Sequence, residues 1–312
     1  MSLLEINNLH TYFDTRRGIV KAVNGISFKV EKGKTLGVVG ESGSGKSQTA
    51  MSILRLFEHN QRIVEGEIKF KGEVLSDMPE KDLQKIRGKE ISMIFQEPMS
   101  SLNPLHTVER QINEVLILHQ GMNQKEASAR SREMLEAVHI SNPDTVMKQY
   151  PFQLSGGMSQ RVMIAMALAC NPDLLIADEP TTALDVIIQA EILKLMNELK
   201  NDFHTSIMFI THDLGVISEM ADDVIVMHRG KIVESGSLYS IFDYPTHPYT
   251  KRLMAAFLKT DISTRKDERE IEEDLFSAEN EHFDFKNFRE NNEADEDWFE
   301  IDPGHFVACR LK

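Results

Sequence analysis

The sequence predicts an α/β fold built on a parallel sheet, and three observations carry that expectation. Short unbroken apolar runs recur at Thr35 to Val39, Leu174 to Ala177 and Ser206 to Thr211. Each run stops abruptly at chemistry-bearing residues: Gly40 to Ser47 after the first, Asp178 and Glu179 after the second, His212 after the third. Stretches with helical spacing, such as Ala190 to Lys200, lie between them. Continuous apolar runs fit strands buried on both faces better than half-exposed ones. In open α/β sheets ligands bind beyond the carboxyl ends of the strands, so the three polar ends are expected to meet at one site.

The other elements follow in order. Leu4 to Phe13 and Ala22 to Val30 alternate roughly, as antiparallel strands beside the main sheet would. Gln48 to Phe57 reads as a helix after the glycine-rich turn. Residues from about 97 to 165 carry long helical patterns, including Val108 to His119 and Lys125 to His139, and read as a helical insertion. Val224 to Met227 and Lys231 to Glu234, split by His228 to Gly230, read as two strands joined by a tight turn. No internal repeat is evident, so the unit is present once.

Composition narrows the class. A chain of 312 residues with 41% hydrophobic and 27% charged residues is globular and large enough for a core domain plus an appendage. Its longest apolar runs, such as Val162 to Cys170, fall short of the roughly 20 residues that cross a bilayer. The start, MSLLEINNLHTYF, lacks the features of a secretory signal, so the chain is expected in the cytoplasm. Cys170 and Cys309 are too few for a disulfide framework and are expected as buried or free thiols. Of the net charge of -14, the last 52 residues hold -10, from 17 acidic against 7 basic residues. The near balance of the rest argues against a broad nucleic-acid face. The division expected is a core of residues 1–260 and an acidic extension of residues 261–312.

Gly40 to Ser47, GESGSGKS, matches the phosphate-binding loop and stands after a strand and before a helix, as that loop requires. Glycines let successive N–H groups face phosphate oxygens; Lys46 reaches the β and γ phosphates, and the Ser47 hydroxyl ligates magnesium. Asp178 and Glu179 supply one carboxylate to hold magnesium and a second to polarise the attacking water. Ser155, followed by Gly156 and Gly157, suits the cap of a helix with a sterically open N-terminus, a second anion-binding surface in one chain.

With these residues in place the chain resembles the ABC-family ATPases over roughly residues 3–240. The resemblance implies a RecA-like P-loop ATPase core with an antiparallel β-subdomain, an inserted helical subdomain and a small C-terminal extension. It makes Gly40 to Ser47 the Walker A loop, Leu174 to Glu179 the Walker B strand with Glu179 catalytic, and Gln96 the Q-loop glutamine that senses magnesium. It makes His212 the switch histidine, Leu154 to Gln160 the signature motif and Ala183 to Asp185 the D-loop. Gly40, Ser42, Gly43, Ser44, Gly45, Lys46, Ser47 and Gln48 then bind nucleotide, and Ser47, Gln96 and Asp178 hold Mg2+. In this family two cassettes pack head to tail, so Ser155, Gly156, Gly157 and Gln160 act on the partner's ATP. Phe13 is preferred over Tyr12 as the aromatic that stacks on adenine.

Four stretches, at Gly40 to Lys46, Gln96 to Pro104, Leu154 to Arg161 and His247 to Thr250, resemble the oligopeptide and dipeptide permease ATPases, a branch that also includes importers of nickel and glutathione. The resemblance implies a second, related ATPase as partner, two transmembrane permease subunits, an extracytoplasmic solute-binding protein and a peripheral position on the cytoplasmic face of the cell membrane. Many relatives carry a cysteine-rich segment after His-Pro-Tyr-Thr that can hold an iron–sulfur cluster; Asp261 to Trp298 contains no cysteine, so no cluster is expected. Asp302 to Cys309 resembles the family's C-terminal strand segment and favours a tail packed on the core, whereas the acid-rich Asn280 to Asp297 favours a solvated one. A clamp acting on DNA or ribosomes would require two cassettes or a long coiled coil. A nucleotide sensor without turnover sits badly with intact Lys46, Asp178, Glu179 and His212.

Overall fold

The computed structural model describes residues 2–96, 101–182, 184–261 and 283–311. Parts of the predicted Q-loop (residues 97–100) and D-loop (Ala183), and most of the extension's first half (residues 262–282), lie outside the described residues. Two long strands, β1 (Ser2–Thr15) and β2 (Gly18–Glu31), open the chain, followed by β3 (Thr35–Val39) and helix α1 (Lys46–Ile53). Next come β4 (Gln61–Phe70), β5 (Glu73–Val74), α2 (Glu80–Ile86) and β6 (Ile91–Ile94). A run of helices follows: α3 (Val108–Gln120), α4 (Gln124–Ala137), α5 (Pro143–Val146) and α6 (Gly156–Leu168). The chain then alternates through β7 (Leu174–Asp178), α7 (Val186–Phe203), β8 (Ser206–Thr211), α8 (Leu214–Met220), β9 (Asp223–His228) and β10 (Lys231–Ser237). Helices α9 (Leu238–Asp243) and α10 (Pro248–Asp261) precede β11 (Phe283–Asp284), α11 (Lys286–Asn291), β12 (Trp298–Asp302), β13 (His305–Ala308) and β14 (Arg310–Leu311). Among the described residues no helix is long and apolar enough to cross a membrane.

The main sheet has the order β12-β13-β10-β9-β3-β8-β7-β6. Its five strands from β9 to β6 are parallel, and β10, β13 and β12 extend it antiparallel. The unbroken apolar runs are explained by burial on both faces. Leu175, Ala177, Ile207 and Phe209 point into a core shared with the helical insertion, while Leu174, Ile176, Met208 and Ile210 point into a second core under β1, β2 and β4. Side chains alternate across a strand, so one sheet serves both cores, and each fully buried aliphatic contributes roughly 1.5–3 kcal/mol. Gly37, mid-strand in β3, lets α8 approach: a Cβ there would stand 2.9 Å from Ile217 Cδ1 and 3.0 Å from Ala221 Cβ.

The antiparallel pair β1 and β2 and the run of helices after β6 stand as the sequence predicts, and β4 and β5 extend the pair to the sheet β2-β1-β4-β5. Helix α4 begins with a reciprocal cap in which Asn123 accepts from the Glu126 N–H and Glu126 accepts from the Asn123 N–H. Strands β4, β5 and β6 were not legible, because β4 is broken by Gly66 among charged residues and β6 has only four residues.

For residues 283–311 the packed alternative holds. Strand β13 pairs with β10, matching Glu234 with Val307, and Phe285, Phe288 and Ala294 are buried in the main core. Acidic Asp295 is itself buried and paired with Arg310 at 3.2 Å. Both cysteines are free and buried.

Glu234 fastens this extension. Fully buried on β10, it accepts the Thr246 N–H at 2.7 Å and the His247 N–H at 3.0 Å, and His305 Nε2 lies 2.8 Å from it. Removing a buried acceptor strands all of its donors. Glu234→Ala is therefore expected to lower unfolding free energy by on the order of 3 kcal/mol, with Glu234→Gln losing less, as read by urea unfolding of the full chain.

Candidate functional site

Strands β3, β8 and β7 are neighbours in register, with Val39 opposite Thr211 and Asp178 opposite Ile210. The residues that follow them therefore emerge side by side at one edge of the sheet. The turn after β3 is left-handed at Gly40 (φ 152°), Gly43 (φ 79°) and Gly45 (φ 103°). A Cβ on Gly40 would collide with the Met227 carbonyl oxygen, and one on Gly45 with that of Ala22, so these two positions exclude larger residues. Gly45 caps α1 and no side chain takes the first-turn N–H groups, which leaves them to an anion.

The loop floors a cleft of about 490 Å3 that also reaches Gln96 and Glu179. Within it, Lys46 is only 5% exposed and donates to the carbonyls of Gly40 at 2.7 Å and Glu41 at 3.0 Å. Burial pulls its pKa down, opposed by the charges of Glu179, Asp178 and Glu41. Ser47 Oγ donates to Asp178 Oδ1 at 3.0 Å. Burial pushes the Asp178 carboxyl up to about 6, the Ser47 hydrogen bond opposing and the Glu179 charge adding to the rise.

Glu179 takes a left-handed backbone, φ 47°, uncommon for a non-glycine residue, and its N–H holds the Ile210 carbonyl at 2.8 Å. Three groups converge on its carboxylate. Gln96 Nε2 donates at 3.1 Å and Thr182 Oγ1 at 2.9 Å, both to Oε2, while His212 Nδ1 lies 3.1 Å from Oε1. The predicted catalytic residues Glu179, Gln96 and His212 are thus one hydrogen-bonded group.

The signature residues are placed apart. Ser155 caps α6 and accepts the Met158 N–H at 3.3 Å, with Ser155 and Gly156 exposed. Gly157 sits against α7, where a Cβ would stand 3.0 Å from Ile188. Gln160 is buried beneath them, and its Nε2 finds no hydrogen-bond partner among the described residues. Asp185 caps α7 by accepting the Ile188 N–H at 3.1 Å, and the next two residues, Val186 and Ile187, are 81% and 74% exposed. None of these residues lines the cleft of their own chain.

Phe13 lies in β1 between Val20 of β2 and Gln61 of β4. Val20 lines the cleft and Gln61 donates to the Gln48 side chain at 2.7 Å, which puts Phe13 beside the start of α1. The Tyr12 hydroxyl is instead engaged with Asn24 and His10.

Some cleft residues escaped the sequence reading. Thr182 carries no signal of its own. Arg229 and Gly230 were read only as a hairpin turn, yet both line the cleft, and the turn stitches two elements together. The Gly230 N–H donates to the Ser44 carbonyl at 2.9 Å, and the Gly230 carbonyl accepts from Asn24 at 2.8 Å.

The donor set fits a magnesium ion: a hydroxyl and a carboxylate, both hard oxygen ligands, already adjacent at the mouth of a phosphate loop. Burial makes the ionised form of Asp178 costly to the folded chain, a cost that Ser47 and the Lys46 charge offset only in part. A carboxyl that binds its proton more tightly in the folded than in the unfolded chain opposes folding above about pH 6, and no longer does so below the unfolded value of 3.8. In nucleotide-free, magnesium-free protein Asp178→Asn is expected to raise unfolding free energy at pH 7.5 by on the order of 2 kcal/mol, with the gain shrinking at pH 5. Urea unfolding at the two pH values measures it.

Comparison with known proteins agrees with this geometry. Residues 23–182 match the family model described as ABC transporter. The oligopeptide transport ATP-binding protein AppD of Bacillus subtilis (strain 168) is 54% identical over 256 residues, covering 82% of this chain and 78% of that protein. The dipeptide transport ATP-binding protein DppD of Lactococcus lactis subsp. cremoris (strain MG1363) is 46% identical over 323 residues, covering 99% and 90%. Among solved structures, a dimeric post-hydrolysis ATP-binding cassette bound to ADP and Pi superposes with a TM-score of 0.68 at 29% identity, covering 75% of this chain and 98% of that one. The family model over half of the chain and relatives at about half identity lead to one conclusion: the chain belongs to the ABC transporter family as one of its ATPases.

Proposed function

We propose that the chain is the ATP-hydrolysing subunit of an importer of oligopeptides or dipeptides, working in a head-to-tail pair with a second, related ATPase. The observation that carries the pairing is the split of the site. One edge of the sheet brings together Lys46, Ser47, Asp178, Glu179, Gln96 and His212, while the exposed Ser155 and Gly156 lie outside the cleft at that edge. Exposed Val186 and Ile187 beside Asp185 give a partner an apolar surface to cover. The dimeric arrangement of the solved relative supports the same reading. The peptide cargo rests on the names of the relatives.

In this reading the N–H groups of Gly43 to Gln48 receive the phosphates, Ser42 and Ser44 complete the loop, and Phe13 stacks on adenine. Lys46 leaves the carbonyls of Gly40 and Glu41 for the β and γ oxygens. Bound magnesium neutralises phosphate charge; Ser47, Asp178 and Gln96 are the residues that would hold it. Glu179 polarises the attacking water, and His212 orients the γ-phosphate. The partner's Ser155, Gly156 and Gly157 close the nucleotide from the opposite side, while buried Gln160 supports that turn from beneath. Closure and reopening pass through the Gln96 loop and the helical insertion to two permease subunits at the cytoplasmic face of the membrane, supplied by an extracytoplasmic solute-binding protein.

Glu179→Gln, assembled with its partner subunits, is expected to lose ATP turnover by at least about a hundredfold while retaining bound ATP and a closed pair by size-exclusion chromatography. Unchanged turnover would refute the catalytic assignment. Purification from solubilised membranes should recover two permeases and a second ATPase, and proteoliposomes of that complex should accumulate labelled dipeptides or oligopeptides with ATP. Uptake of nickel or glutathione in their place would overturn the peptide assignment.

A further inference from the structure

We propose that Tyr249, in the His247 to Thr250 stretch far along the chain from the nucleotide motifs, is a positioning residue for the phosphate loop; the inference rests on the nucleotide-site reading above. Its ring is fully buried at the start of α10, and its hydroxyl accepts the N–H of Glu41 at 2.9 Å. That N–H belongs to the same peptide unit as the Gly40 carbonyl, on which Lys46 Nζ rests at 2.7 Å. One peptide plane is therefore gripped at both ends, by the lysine in front and the tyrosine behind. A peptide with one end released can rotate about its flanking bonds, and Gly40 offers little resistance to such a rotation. Tyr249 thus sets the orientation of the carbonyl from which Lys46 departs to reach phosphate.

The tyrosine is held in turn by the C-terminal part of the chain. Burial lowers the His247 pKa to about 3, and this uncharged ring accepts the Tyr249 N–H on Nδ1 at 3.1 Å. The His228 ring lies 4.2 Å from the Tyr249 ring and contacts Phe288 of α11, and its Nε2 lies 3.2 Å from the Asn292 carbonyl. Arg229, which lines the nucleotide cleft, donates to the Asn291 carbonyl at the end of the same helix at 3.4 Å. The extension thereby braces both the tyrosine behind the phosphate loop and Arg229 at the edge of the cleft.

Tyr249→Phe keeps the ring and removes only the acceptor. In purified full-length protein, isothermal titration with ATP and magnesium is expected to give about tenfold weaker binding for Tyr249→Phe. Ile112→Val, a core truncation in the helical insertion, supplies the stability control: it is expected to lower Tm without changing ATP affinity. In the assembled transporter Tyr249→Phe is expected to raise KM for ATP by a similar factor and to leave kcat within about twofold. A lower Tm with wild-type ATP affinity in Tyr249→Phe would overturn the inference and leave a structural residue. Failure of the wild-type chain itself to bind ATP would overturn the phosphate-loop reading and this inference with it.

Discussion

Two opposite charges, Lys46 and Asp178, are held almost completely out of water at the end of a parallel sheet, and the surrounding architecture is what makes this tolerable. Burying an ion is costly unless polar groups replace its hydration. Two main-chain carbonyls do so for the lysine, and the Ser47 hydroxyl for the aspartate. In the proposed reading phosphate oxygens replace the carbonyls at Lys46, and Ser47 and Asp178 already stand together as the residues that would hold magnesium, so the site is shaped before its ligand arrives. Only a rigid frame can keep them there, and the frame is the strand β3 with parallel neighbours on both sides. Electrostatic preorganisation of this kind shifts the cost of ordering from each turnover to the folding of the chain.

Much of this was legible in the sequence because the decisive signals are local. A strand that breaks into GESGSGKS, or into two acids, announces both its burial and its chemistry within ten residues. Illegible were the contacts made between remote segments: the Gly230 turn against Ser44 and Tyr249 against Glu41. Each side chain or turn is ordinary where it stands in the chain and acquires meaning from what the fold brings opposite it. The tail illustrates the same point from composition. Average charge suggested solvent, but the buried aromatics Phe285 and Phe288 decide its place, and Asp295 follows them inside with an arginine partner.

Glu179 joins the local and the remote. Its left-handed backbone follows directly from the end of β7, whereas its carboxylate is held by Thr182 of the same turn and by Gln96 and His212 from two remote segments. Three hydrogen bonds leave this carboxylate little spare acceptor capacity, so in the proposed reaction an arriving γ-phosphate and water compete with Gln96, Thr182 and His212 for it. Gln96 and the histidine after β8 meet on this one acid, which in the proposed reading lets both respond to nucleotide.

The hairpin of β12 and β13 also settles how the sheet ends. Were β10 the last strand, a straight row of main-chain donors and acceptors would face solvent and invite another chain to add on. The outermost strand is instead Trp298 to Asp302, whose exposed positions include Glu300 and Asp302. A second copy laid against that edge would bring like charges together, so the acidic tail discourages sheet-to-sheet aggregation and leaves other surfaces for productive assembly.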